Sequence, residues 1–165
     1  MMIEKIILIK GELTTEVSVE ELKSKSCCRQ RVGRMRSLSL GFGEKVFHGK
    51  NDFPDDFYGE WEIGSYYSEW RVIRAGEILC GSQNTVESIA ELDNQLNTIQ
   101  LGRVIKIENF SKFDVRVSFD NNICAEFFWC SNDDDEVFHV FGPKKLCAEY
   151  SVGNGWRVGQ SDKPW

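Results

Sequence analysis

The chain holds two histidines, His48 and His139, and together they could carry acid–base chemistry. In a two-histidine ribonuclease one imidazole removes a proton, the other donates one, and a nearby cation stabilises the transition state. Three lysines could supply that cation: Lys45, Lys50 and Lys144. His139 also lies in the apolar run 137–141, where a hydrogen-bonded histidine inside a sheet is the structural alternative. An RNase-like enzyme that uses His48 and His139 is therefore one hypothesis for function.

The run Asp133–Glu136 places four carboxylates in succession, and carboxylates are the ligands that calcium and magnesium prefer. A calcium loop of the EF-hand type also needs a glycine at its sixth position and a distant glutamate, and neither is present. A solvated acidic turn or a partner-binding surface explains the run without a metal. We therefore expect no metal ion.

No motif for a nucleotide or redox cofactor is present. The chain lacks Gly-x-Ser-x-Gly, the phosphate-binding Gly-x-x-x-x-Gly-Lys and the dinucleotide fingerprint. Its six cysteines include no Cys-x-x-Cys pair, so zinc-ribbon spacing is missing, and free thiols packed as small hydrophobic residues are expected. We expect no cofactor.

Charged residues are sorted along the chain into blocks of one sign. The basic block, residues 23–36, holds six cations and no acid, whereas residues 52–69 and 120–136 each hold six acids and no cation. The other charges cancel, so these blocks account for the net charge of −6. Because like charges repel, such sorting favours a partner that uses the resulting field.

Aromatic residues interleave with carboxylates in the block 52–69, which is typical of a protein-binding surface. Rings supply contact area at such a surface, and acids steer a basic partner. For Trp61, burial in the core is an equal alternative. The predicted partner-binding residues are Asp52, Asp55, Asp56, Tyr58, Glu60, Trp61, Glu62, Tyr66, Tyr67, Glu69, Asp133, Asp134, Asp135 and Glu136.

The basic block 23–36 supports a third hypothesis, nucleic-acid binding, because six cations in succession could follow a phosphate backbone. The block contains no aromatic residue to stack on bases, and the two acidic blocks oppose it, so nucleic acid is not the expected partner. The alternative is that the block pairs with the molecule's own acidic loops, or with an acidic part of a protein partner.

Hydrophobic periodicity predicts an α+β fold built mainly from antiparallel strands in hairpins and a meander, which could be strongly curved. The main helix is predicted over 86–97, capped by Asn84 or Thr85, with a short helix near 16–24. The predicted buried stripe of the main helix is Val86, Ile89, Ala90 and Leu96, with Leu92 at the edge.

Hairpin turns are predicted at Ala75-Gly76 and at Asp120–Asn122, and a further turn at Gly43-Glu44. The basic block is predicted to be an irregular connection. A chain of 165 residues fits a single domain, 1–165, with 1–97 and 98–165 as the alternative division.

The N-terminal apolar run covers only residues 6–9, which is too short for a secretion signal or a membrane span. A cytoplasmic protein without a membrane partner is the expectation.

Three segments are similar to parts of uncharacterised bacterial proteins, and the likeness covers residues 60–165. They are Trp70-Arg71-Val72-Ile73, Gly76-Glu77-Ile78-Leu79-Cys80-Gly81-Ser82 and Phe119-Asp120-Asn121. With its small size and acidic α+β character, the chain resembles the cytoplasmic immunity proteins that bacteria encode beside polymorphic or contact-dependent growth-inhibition toxins. The resemblance implies an inhibitor that is not an enzyme and that occludes a cognate toxin domain, often a nuclease with a basic cleft. The basic block departs from a purely acidic nucleic-acid mimic.

Overall fold

The computed structural model describes residues 19–51 and 53–162, and these form two antiparallel sheets and one α-helix. The first sheet has six strands in the order β1-β2-β3-β9-β10-β11. Its strands are β1 (Cys27–Val32), β2 (Leu38–Phe47), β3 (Phe57–Ser65), β9 (Glu136–Phe141), β10 (Leu146–Ser151) and β11 (Gly155–Gln160).

The second sheet has five strands in the order β5-β4-β8-β7-β6. Its strands are β4 (Glu69–Arg74), β5 (Glu77–Gly81), β6 (Val104–Asn109), β7 (Asp114–Phe119) and β8 (Ile123–Phe128). The helix α1 (Ile89–Asn97) connects β5 to β6. The predicted α+β fold of mainly antiparallel strands is confirmed, but neither sheet closes on itself, so strong curvature is not supported.

The core lies between the two sheets, where apolar side chains on alternate residues of each strand face one another. Phe42 of β2 stacks on Phe119 of β7, with ring centroids 6.0 Å apart. Phe127 of β8 meets Phe138 of β9 edge to face at 5.0 Å. Each pair joins one ring from each sheet, which fixes how the sheets face each other.

Strands from both halves of the chain are neighbours in both sheets. In the first sheet β3 pairs with β9, and in the second β4 pairs with β8. A division between residues 97 and 98 would therefore cut both sheets.

Two of the three predicted turns are confirmed. Ala75 and Gly76 join β4 to β5 with φ of 50° and 79°, and Asn122 closes the β7–β8 hairpin with φ of 64°. The turn predicted at Gly43-Glu44 is wrong, because β2 runs through it as a β-bulge opposite Glu60. Gly43 has φ of 84°, the left-handed conformation that such a bulge uses.

The helix begins later than predicted. Ser88 caps α1 by accepting a hydrogen bond from the Glu91 amide at 3.1 Å, a role predicted for Asn84 or Thr85. Arg36 accounts for the difference, since its guanidinium binds the Ser82 and Asn84 carbonyls and holds that stretch outside the helix. The buried residues are Leu92, Asp93 and Leu96, whereas Ile89 is exposed.

The basic block is not an irregular connection, which corrects the prediction. Residues 19–24 form a 3-10 helix, the ordered part of the helix predicted near 16–24, and residues 16–18 lie outside the described residues. Residues 27–32 are strand β1 at the edge of the first sheet. Within the described residues, no helix is long and apolar enough to cross a membrane.

Candidate functional site

A groove of about 550 Å³ lies on the face of the first sheet that points away from the core. Side chains alternate along β2, β3 and β9, so Ser39, Glu62 and His139 point outward while their neighbours fill the core. The residues that line the groove are Ser37, Leu38, Ser39, Val46, Tyr58, Gly59, Glu60, Glu62, Ser65, Tyr66, His139, Phe141, Gly142 and Pro143.

Glycines keep the backbone close-packed around the groove. Gly59 lies so close to β2 that a Cβ atom would stand 2.5 Å from the Phe42 nitrogen. A Cβ atom at Gly64, which lies between Ser39 and His139 in the sheet, would collide with the Leu38 carbonyl. Any side chain at these two positions would therefore force the strands apart.

The basic block pairs with the molecule's own acids, which confirms one of the predicted alternatives. Arg29 contacts Asp55 at 2.9 Å and Glu62 at 3.3 Å. Arg31 contacts Asp55 at 2.7 Å and Asp93 of α1 at 2.5 Å. These five side chains form a continuous chain of alternating charge from α1 to the groove floor, which we call the ion chain.

Burial and ion pairing oppose each other along the ion chain. Burial raises the pKa of the Glu62 carboxyl above its ordinary value, although Arg29 and hydrogen bonds from the Gly59 amide and Ser39 hydroxyl act against it. At Asp55 burial acts in the same direction, but Arg31 and Arg29 outweigh it and hold the pKa below its ordinary value. The carboxylate nearest the groove is therefore the less well compensated one.

His139 lies on the groove floor, held by a buried glutamate. Its Nδ1 is 2.7 Å from Glu136 Oε2, and Glu136 Oε1 accepts the Tyr66 amide at 2.8 Å. The imidazole packs between the rings of Tyr66 and Phe141, and its side chain is 5% exposed. Its Nε2 makes no hydrogen bond to the described residues. In a neutral ring whose Nδ1–H is directed at this carboxylate, Nε2 is left as an acceptor.

The two histidines do not line the groove together. His48 packs on Tyr58 and Phe53, and its Nδ1 accepts the Lys50 amide at 3.0 Å. His48 Nε2 is buried with no hydrogen-bond partner among the described residues. Tyr58 lies between His48 and the groove that contains His139, since its ring contacts His48 and also lines the groove.

Exposed aromatic rings stand at both ends of the groove. Tyr66 and Tyr67, 54% and 58% exposed, follow the end of β3. Phe47, the last residue of β2, and Phe53, in the β2–β3 connection, are exposed near the other end. Trp61 was predicted as a possible anchor, but it is fully buried between the sheets and offers no surface to a partner.

The predicted acidic residues divide into internal and exposed groups. Those with internal partners are Asp55, Glu60, Glu62, Glu69 and Glu136. Those that are exposed are Asp56, Asp133, Asp134 and Asp135, of which Asp134 also accepts hydrogen bonds from the Gly153 amide and the Asn154 side chain. Asp52 lies outside the described residues. The exposed residues 133–135, here called the acidic loop, lead into β9 beside Glu136, which receives the Tyr66 amide.

Ser39, Gly59 and Phe141 belong to the groove but were not among the predicted site residues. Alternation along β2 and β9 could have marked Ser39 and Phe141 as facing the same side as His139. Only the strand order, with β3 between β2 and β9, brings them together.

All six cysteines are free thiols, and two of them are strongly protected. Burial raises the pKa of the Cys27 thiol to about 12 and that of Cys147 to about 11. At pH 8 their thiolate fractions are at or below about 0.1%. They therefore have little nucleophilic character in the folded protein.

We expect an aromatic disulfide reagent at pH 8 to react with exposed Cys130 before Cys27 or Cys147. Absorbance should show that Cys27→Ser and Cys147→Ser leave the fast phase unchanged. In the wild-type protein, denaturant should make both thiols react. Loss of the fast phase in Cys147→Ser would contradict this description of its surroundings.

Within the described residues, no three His, Cys, Asp or Glu side chains come together as metal ligands. No protein-family model, curated protein or solved structure matches this chain.

Proposed function

We propose that this protein is a cytoplasmic immunity or inhibitor protein that binds a cognate toxin domain and occludes its active or substrate-binding surface. The binding face is the groove together with Tyr66, Tyr67 and the acidic loop. One observation carries the proposal: a groove with buried carboxylates has exposed aromatic rings at its ends, and an exposed acidic loop leads into β9, one of the strands that form it. This combination suits a protein partner with a basic surface, such as a nuclease domain.

The two parts of this face have different roles in binding. Tyr66 and Tyr67 offer rigid contact area, and desolvating them slows dissociation. Asp133, Asp134 and Asp135 are exposed and carry the field that speeds association. Residues 52–69 contribute less free charge than their composition indicates, because Asp55, Glu60 and Glu62 pair with the basic block.

The alternative of an RNase has weaker support. The groove floor carries Glu60 and Glu62, which repel phosphates, and Arg29 is already engaged by carboxylates. Nucleic-acid binding through residues 23–36 meets the same difficulty, since Arg29 and Arg31 are ion-paired and Arg36 binds carbonyls.

We expect reversal of the acidic loop by Asp133→Lys, Asp134→Lys and Asp135→Lys to slow association with the cognate toxin domain about 10- to 100-fold at low salt. Stopped-flow measurements across ionic strength should show a flatter salt dependence, because the steering field has been reversed. Glu77→Lys, an exposed change on β5, is the control for altered net charge.

Neutralisation is tested by co-expression with the toxin domain that the proposal expects a neighbouring gene to encode. Cells carrying the wild-type protein should grow, and inhibition of the toxin should require direct binding. Failure of the wild-type protein to protect would overturn the proposal. So would hydrolysis of RNA by the purified protein that is lost in His139→Ala.

A further inference from the structure

We propose that the groove receives an arginine side chain presented by the partner. This inference rests on the proposed function and names the chemical group that the groove selects. Three features support it: the charge around the floor, an acceptor on the floor that no described residue satisfies, and the aromatic walls.

The ionised side chains around the floor carry an excess of negative charge. Three cations lie among five carboxylates, which leaves two negative charges when His139 is neutral. The cations are Lys25, Arg29 and Arg31, and the carboxylates are Asp55, Asp93, Glu60, Glu62 and Glu136. A cation entering the groove would offset the burial that raises the pKa of the Glu62 carboxyl.

His139 supplies the observation that does not depend on this charge. Its side chain is 95% removed from solvent, yet Nε2 makes no hydrogen bond to the described residues and the residue lines the groove. With Nδ1 held by Glu136, Nε2 can only accept a hydrogen bond while the ring is neutral. Nε2 is not among the side-chain atoms shut off from solvent without a partner, so it is open to the groove, where a guanidinium offers five donors.

Glu62 and His139 are neighbours on the floor. Glu62 pairs with Phe141 and Gly64 pairs with His139 across β3 and β9, so Glu62 and His139 are diagonal neighbours on one face. Diagonal neighbours in an antiparallel pair are about 7–8 Å apart at their Cα atoms. A planar guanidinium directs donors at two neighbouring acceptors, whereas an ammonium group is a compact point charge.

Tyr58, Tyr66 and Phe141 are the aromatic walls of the groove, and Tyr66, 54% exposed, has the most open ring, since His48 and Arg29 already lie against Tyr58. Guanidinium planes stack on such rings and are weakly hydrated, so they enter a half-closed groove at lower cost than an ammonium. The walls therefore favour arginine over lysine.

The inference is tested with N-acetyl-arginine amide, N-acetyl-lysine amide and N-acetyl-citrulline amide as probes. Amide and imidazole NMR shifts are followed in the full-length protein at low salt. The arginine probe should bind with a dissociation constant of about 1 mM and shift His139, and citrulline should bind at least about tenfold more weakly because it lacks the charge. Equal binding of arginine and citrulline would overturn the proposal.

Two variants and a matched control locate the site. Tyr66→Ala and Glu62→Gln should each weaken the arginine probe at least about threefold, while Tyr67→Ala should not, since Tyr67 is equally exposed but lies outside the groove lining. Tyr66→Ala removes a surface ring, so it remains informative if Glu62→Gln is unstable. An equal effect of Tyr66→Ala and Tyr67→Ala would overturn the location.

The same variants separate this inference from the proposed function. If the wild-type protein neutralises its toxin and Tyr66→Ala and Glu62→Gln do so with unchanged affinity, the arginine site is wrong and the inhibitor proposal stands. If the arginine probe binds as expected but no toxin is neutralised, the inhibitor proposal fails and the site remains.

Discussion

Replacing Asp93 with alanine is expected to lower the free energy of unfolding by about 3 kcal/mol, which is more than a hundredfold in the folding equilibrium. Asp93 is 7% exposed, and its two oxygens have separate roles. Oδ1 accepts the Val32 amide at 2.7 Å, and Oδ2 contacts Arg31 at 2.5 Å. Alanine would leave the buried amide without an acceptor and remove one of the two carboxylates that neutralise Arg31.

The loss should extend beyond one contact because Asp93 joins the helix to the edge of a sheet. Besides the Asp93 bond to Val32, Asn97 of α1 donates to the Gln30 carbonyl, and Gln30 donates to the Leu96 and Ile99 carbonyls. Two of these bonds occupy the Val32 amide and the Gln30 carbonyl, backbone groups of β1 that an edge strand would otherwise present to solvent. Without Asp93 the anchorage of α1 to β1 is weaker, and so is the ion chain.

Urea denaturation measures this effect, with a midpoint shift of about 1–2 M expected for a chain of this size. Asn94→Ala, on the exposed side of the same helix, is the matched control and should change stability by less than about 0.5 kcal/mol. Asp93→Asn keeps an acceptor for Val32 but loses the charge, so its loss should be intermediate. If Asp93→Ala and Asn94→Ala were indistinguishable, the ion chain would have no structural role.

Local patterns in the sequence were sufficient to predict much of the secondary structure. Alternation over residues 113–119 and the Asp120–Asn122 turn predict a hairpin that the structure contains, because both signals act between neighbours in the chain. The start of α1 was missed because Asn84 is held by Arg36, which is remote in sequence. Such long-range contacts leave no local signal.

The groove was beyond prediction for the same reason. It depends on β3 lying between β2 and β9, and residues as far apart as Ser39 and His139 meet only through that order. The basic block showed the same limit, since its charges indicated that carboxylates would face them but not which ones. Asp55 forms ion pairs with both Arg29 and Arg31, while neighbouring Asp56 is exposed.

Glu136 should be as sensitive as Asp93, and alanine at this position is expected to cost about 2–4 kcal/mol of unfolding free energy. The sequence places Glu136 in one acidic run with Asp133, Asp134 and Asp135, yet it is 5% exposed while the other three face solvent. Removing its carboxylate would leave the Tyr66 amide and His139 Nδ1 without acceptors.

Asp133→Ala is the matched control, because its carboxylate is exposed and accepts a hydrogen bond from the Ser131 hydroxyl, and it should cost less than about 0.5 kcal/mol. Thermal and urea unfolding of both variants give the comparison directly. Nitrogen-15 shifts of His139 add a second readout, since a ring that has lost Glu136 should no longer favour the Nδ1–H tautomer. Equal stability of the two variants would mean that Glu136 is solvated, and then His139 would have no fixed acceptor to offer the groove.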